Sequence, residues 1–112
     1  MISIACNIQE CYFEIIKKHF TSKDYYLEKF NPASYDDIYF IEINTLNDLD
    51  KIQQINRYPE TLIYIIGPND FHLLNECLTL GIHLYFEKDD LENSLHSKSE
   101  TIHQQIFTRF KT

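Results

Sequence analysis

Two near-continuous apolar runs, Asp37-Ile-Tyr-Phe-Ile-Glu-Ile-Asn44 and Leu62-Ile-Tyr-Ile-Ile66, constrain this chain more than any other feature. They are too short for helices and too uniformly apolar for strands with one face in water. Strands of this kind must be covered on both faces, which is the condition of a parallel sheet layered between helices. The first run ends on a carboxylate, Glu42, placed where such a strand emerges from the core.

The rest of the chain supplies the layers. Ile2-Ser-Ile-Ala-Cys6 predicts a buried first strand, and Phe13, Ile16 and Phe20, with Ile15 widening the stripe, predict a helix after it. Tyr25 to Phe30 predicts a second strand of edge character. Leu46, Leu49, Ile52 and Ile55 predict a helix ending near Arg57-Tyr58, because Pro59 biases Tyr58 out of helical geometry. Gly67-Pro68 stops the strand that begins at Leu62. Asn69 or Asp70 then caps a helix carrying Phe71, Leu74, Cys77 and Leu78, and Gly81 closes it. A fifth strand is expected at about Leu84 to Glu87. Asp89 or Asp90 caps a last helix marked by Leu91, Leu95, Ile102, Ile106 and Phe110, with Ser97-Lys-Ser-Glu100 able to break and restart it. Alternating strands and helices with right-handed crossovers give a doubly wound α/β sheet in one domain, residues 1–112. Function in such a sheet sits at the carboxyl ends of strands one, three and four, the rim that holds Asn7, Glu42, Ile66 and Lys88.

The segment Leu80-Gly-Ile-His-Leu-Tyr-Phe-Glu-Lys88 resembles the Leu-Gly-Ala-x-x-Tyr-Leu-x-Lys run of bacterial response-regulator receiver domains. The likeness extends over essentially the whole chain and is strongest to receivers that precede LytTR-type DNA-binding domains. It implies a flavodoxin-like five-stranded parallel sheet of order 2-1-3-4-5. Only seven residues, Asn31 to Asp37, separate strands two and three, fewer than a helical crossover needs, so the helix there is expected to be reduced or missing. By the same match Glu42 takes the place of the phospho-accepting aspartate, Lys88 that of the phosphoryl-contacting lysine and Tyr85 that of the aromatic switch.

The chemistry of that family is not matched. Its Mg²⁺ is held by an acidic pair after strand one, where this chain has Asn7 and Ile8. Its phosphoryl oxygens bond a Thr or Ser hydroxyl after strand four, where this chain has Ile66. Phosphoryl transfer is positioning plus charge neutralisation, and three parts that supply these are absent. The expected reading is a non-phosphorylatable receiver acting as an interaction, dimerisation and signal-input module of a transcription regulator, not an enzyme. Glu42 is expected to be solvated or paired with Lys88 at the surface. The alternative is an active phospho-acceptor or a cysteine-type phosphotransferase domain using Cys6, although Asn7-Ile-Gln-Glu-Cys11 lacks the Gly- and Ser-rich loop that would hold phosphate.

The partner expected is a second copy, docked through the family's fourth helix, fifth strand and fifth helix. Here that face would carry His72, His83, Tyr85 and the outward side of the Leu91 to Arg109 segment. A net charge of −7 disfavours nucleic acid as a direct partner, so DNA would be reached through a separate domain. Three cysteines without CxxC spacing and five histidines without an i, i+4 pair indicate no metal site, and no cofactor is expected. Glu100 and His103 are expected to form a surface pair. No signal-peptide pattern or membrane span is present in the sequence, which leads to a cytoplasmic expectation.

Overall fold

The computed structural model describes residues 1–110. Five parallel strands, β1 (Ile2–Asn7), β2 (Tyr25–Lys29), β3 (Ile38–Glu42), β4 (Leu62–Gly67) and β5 (Leu84–Glu87), form one sheet in the order β2-β1-β3-β4-β5. Five helices flank it: α1 (Glu10–His19), α2 (Leu49–Gln53), α3 (Phe71–Thr79), α4 (Leu91–Ser97) and α5 (Ser99–Phe110). Every residue of β3 and β4 is buried, as their two-sided apolar sequences require.

The sheet separates two cores. On one face Ile2, Ile4, Cys6, Phe40, Tyr64 and Phe86 meet Ile16 of α1, Leu91 and Leu95 of α4, and Ile102 and Ile106 of α5. On the other, Ala5, Tyr39, Ile41, Ile63 and Ile65 meet Ile52 of α2 and Leu73 and Cys77 of α3. His103 of α5 belongs to the first face and not to the surface pair expected with Glu100. Its Nδ1 lies 2.6 Å from the Tyr25 hydroxyl, and its ring packs on Phe20, Tyr25 and Phe107.

No helix joins β2 to β3. The 30–37 segment lies instead across β1, anchored by the Phe30 N–H, which donates to the Cys6 carbonyl at 3.0 Å. Asp37 closes its far end: its Oδ2 accepts the Ser3 N–H at 3.0 Å, and its own N–H donates to Ser3 Oγ at 3.0 Å. Asn56 donates its side-chain amide to the carbonyls of Pro32 and Ser34, and Tyr35 packs against Tyr58 with ring centroids 5.1 Å apart. Along β1 the side chains on this face before its last residue are Ser3 and Ala5, small enough for backbone to approach the sheet directly.

One helix differs from the sequence pattern. The run from Leu46 to Ile55 forms a 3₁₀ turn (Leu46–Asp48) and the short α2, because Leu46 is half-exposed and Asn56 is drawn away to bind the crossover segment. The last helix breaks at Lys98 into α4 and α5, at the place where Ser97-Lys-Ser-Glu100 offers a restart. Asp70 caps α3 by accepting the Leu73 N–H at 3.1 Å, and Gly81 leaves it with φ +81°. Among the described residues, no helix is long and apolar enough to cross a membrane.

Gly81 occupies a left-handed conformation that costs an L-residue about 1–2 kcal/mol. A Cβ there would also come within 3.0 Å of the Arg57 guanidinium. Gly81→Ala is therefore expected to lower the unfolding free energy by about 1–2 kcal/mol, read as a lower urea midpoint with an unchanged m-value.

Candidate functional site

The rim at the carboxyl ends of β1, β3 and β4 holds Glu42, the last residue of β3, opposite Ile66 of β4. Alternation along the strand turns Glu42 toward α1, and its side chain is only 5% exposed. A carboxylate so placed must find donors, and it finds three. The Gln9 N–H donates to Oε1 at 2.7 Å, the Gln9 side-chain amide donates to Oε2, and Lys88 Nζ donates to Oε2 at 3.0 Å. Gln9 is the N-cap of α1, so the carboxylate also sits at the positive end of that helix. The second partner of Lys88 is the Asn44 side-chain oxygen, and Lys51 donates to the Glu42 carbonyl at 3.3 Å.

This corrects the expectation of a solvated or surface-grade pair. The Lys88 side chain is 15% exposed, so both ends of the ion pair are largely withdrawn from water. Burial pushes the Glu42 pKa up, but the Gln9 N–H, the Gln9 amide and the Lys88 ammonium outweigh it and hold the carboxyl below its ordinary value.

Around this knot stand groups that offer neither a carboxylate nor a hydroxyl. Asn7 ends β1 without a carboxylate, Ile8 packs against the first core and Ile66 is fully buried. Glu10 is exposed at the start of α1. Mg²⁺ asks for several oxygen ligands, whereas Glu42 is occupied by N–H donors and an ammonium. The residues present do not fit that ion. Among the described residues, no group of three or more His, Cys, Asp or Glu is placed to hold a metal.

Cys6 points into the first core at 5% exposure, and burial, then the nearby Asp36, pushes its thiol up to about 12. A thiol this reluctant to ionise is not an activated nucleophile.

Tyr85 and His83 line one groove of about 420 Å³ between α3 and β5, together with Phe71, Leu74, Leu78 and Ile82. Neither is the open aromatic the sequence suggested. The Tyr85 hydroxyl donates to the Pro68 carbonyl at 2.6 Å and lies over Gly67, where a Cβ would collide with that hydroxyl. His83 Nδ1 accepts the Ile63 N–H at 3.1 Å, which requires a neutral ring at that nitrogen. Burial, with Arg109 and Arg57 nearby, keeps its pKa below the ordinary value. His72 is exposed on α3 but does not line the groove. The far end of α5 is turned elsewhere, with Arg109 donating to the carbonyls of Glu60 and Pro59.

Sequence reasoning missed Gln9 and Asn44, the residues that complete the knot. The available signal was Glu42 itself: a side chain one methylene longer than aspartate reaches farther toward the start of α1.

Glu42→Gln keeps an acceptor but sets an amide against the donors of Gln9 and Lys88, at a cost of about 1–3 kcal/mol. Because the folded pKa lies below the ordinary 4.5, the Glu42 contribution is fully present above that pH and is lost as pH falls through the folded value. Thermal melts across the acid range are expected to show a smaller loss below pH 4.5 in Glu42→Gln than in the wild type.

No protein-family model matches the chain, and no curated protein sequence matches it. Solved structures do. The solution structure of a response regulator protein from Burkholderia multivorans superposes with a TM-score of 0.61 at 14% identity, covering 92% of this chain and 96% of that one. The crystal structure of the pilus assembly protein CpaE from Caulobacter crescentus superposes with a TM-score of 0.57 at 17% identity, covering 80% of this chain and 89% of the other. These likenesses, with the strand order 2-1-3-4-5, place the chain in the flavodoxin-like fold of response-regulator receivers.

Proposed function

We propose that this chain is a receiver-like interaction module whose phospho-acceptor position has become a structural lock. One observation carries the reading: the carboxylate at that position is already bonded to Gln9 and Lys88 and buried. A nucleophilic carboxylate needs a free oxygen facing solvent, a hard cation beside it and a hydroxyl to receive the phosphoryl group. Glu42 has donors on both oxygens, with Asn7, Ile8 and Ile66 around it. The fold is shared by a pilus assembly protein and a response regulator, so the reading rests on the site and not on the fold. In the regulator context implied by the sequence resemblance, DNA contact belongs to a separate LytTR-type domain, and the input is a protein partner.

Incubation with Mg²⁺ and acetyl phosphate is expected to leave the intact mass unchanged, and beryllofluoride is expected to move no resonance around Glu42. A stoichiometric phospho-form would overturn this function.

The partner we assign is a second copy, bound at the groove between α3 and β5. Phe71 is 75% exposed and Leu78 is 56% exposed there, beside an edge strand. Grouped apolar exposure of this kind marks contact surfaces, whereas scattered single residues do not. Because Tyr85 is held inward by Pro68 and Gly67, the groove has one shape, and association is independent of phosphorylation. Sedimentation equilibrium at high micromolar concentration is expected to give a dimer that Phe71→Glu and Leu78→Glu dissociate without lowering the melting temperature. A wild-type monomer under these conditions, or dimers indifferent to both changes, would refute the surface.

A further inference from the structure

The segment that replaces the missing helix carries an unusual group. Asp36 is 4% exposed, and its Oδ2 has no hydrogen-bond partner among the described residues. Its neighbour is another acid. In the sheet Glu28 of β2 lies beside Ala5 of β1, and Ala5 lies beside Tyr39 of β3. The Tyr39 hydroxyl accepts the Asp36 N–H at 2.9 Å and donates to the Ser34 carbonyl at 3.3 Å. Glu28 thus lies on the face of the sheet that the 30–37 segment covers, and its side chain lies within hydrogen-bonding reach of that of Asp36. Two carboxylates are acceptors only and cannot bond each other, whereas a carboxylic acid donates to a carboxylate.

We propose that Glu28 and Asp36 form a proton-binding site, in which one proton shared between them latches the 30–37 segment onto β1. The orphaned Asp36 oxygen is then accounted for, because it lies in the acid–carboxylate bond. The groups facing Asp36 are Glu28 from β2, Asp37 from its own segment, the Ser3 hydroxyl from β1 and Tyr39 from β3, with the Cys6 thiol nearby on the opposite face of β1. Of these only the Ser3 hydroxyl favours a charged Asp36. Burial first, and Glu28 second, push the Asp36 pKa from 3.8 up to about 6. Since the folded value is the higher one, the latch is fully closed below the ordinary 3.8 and is lost as pH rises through about 6. This is opposite in sign to Glu42. The site thus takes up a proton in a mildly acidic medium and releases it toward neutrality, where two adjacent carboxylates repel and the segment loosens.

The test compares the full chain with Asp36→Asn and Glu28→Gln, each of which replaces the shared proton with a permanent amide donor. The five histidines are common to all three proteins, so their own titration cancels in the differences. At about pH 7.5 both variants are expected to melt above the wild type, and the difference is expected to narrow as pH falls through about 6 and to vanish only below the ordinary 3.8. Amide exchange over residues 30–37, corrected for intrinsic rates, is expected to speed up as pH rises through about 6 in the wild type alone. Carbon-detected titration of the Asp36 and Glu28 carboxyls supplies a readout independent of stability. Should Asp36→Asn not fold, Glu28→Gln and this titration decide the matter. An Asp36 carboxyl titrating at its ordinary value, or variants that melt below the wild type by the same amount across that pH range, would overturn the proposal.

Discussion

A carboxylate withdrawn from water has to be compensated group by group, and the compensation of Glu42 organises the whole functional rim. Its three donors come from the N-cap of α1 and from the turn after β5, so the acid ties together elements that lie on either side of β3 and β4. Removing one member leaves the others buried and unmatched, which is why such knots are costly to break although replacing them wholesale with apolar groups is not. The bonds that hold the carboxyl ionised are also the bonds that take up its oxygens.

The fold was legible because burial on both faces writes itself directly into sequence. Runs such as Ile38 to Ile41 and Leu62 to Ile66 have few alternatives, and Gly81, Pro59 and Asp70 mark ends through local geometry. The absent helix between β2 and β3 was legible from length alone. What could not be read were contacts between side chains distant in sequence. Gln9 and Glu42 are 33 residues apart, Tyr25 and His103 are 78 apart, and nothing in either local pattern announces the pairing. The helix over 46–57 was overdrawn for a related reason. Its spacing is helical, but Asn56 is claimed by carbonyls of the crossover segment, a tertiary bond that outweighs periodicity.

Tyr85 illustrates how one small residue sets the behaviour of a larger one. Alternation along β5 puts its side chain on the face it shares with the groove, but does not say whether the ring stands out or lies flat. Gly67 decides this, since any Cβ there would collide with the phenol. The groove between α3 and β5 therefore inherits its shape from a residue on the neighbouring strand, not from its own walls.

The short crossover has a consequence for how such a chain can change over time. Packed layers stand roughly 8–10 Å apart, and an extended segment lies much closer to the strand beneath it. Ser3 and Ala5 suit the closer spacing. If an insertion restored a helix over β1, these two side chains would be too short to reach it and would leave voids, each missing methylene being felt in a close-packed interior. Enlarging Ser3 or Ala5 first would instead push the present segment off the sheet. Each step is unfavourable alone, so the size of two side chains on a different strand sets what kind of segment can cover β1.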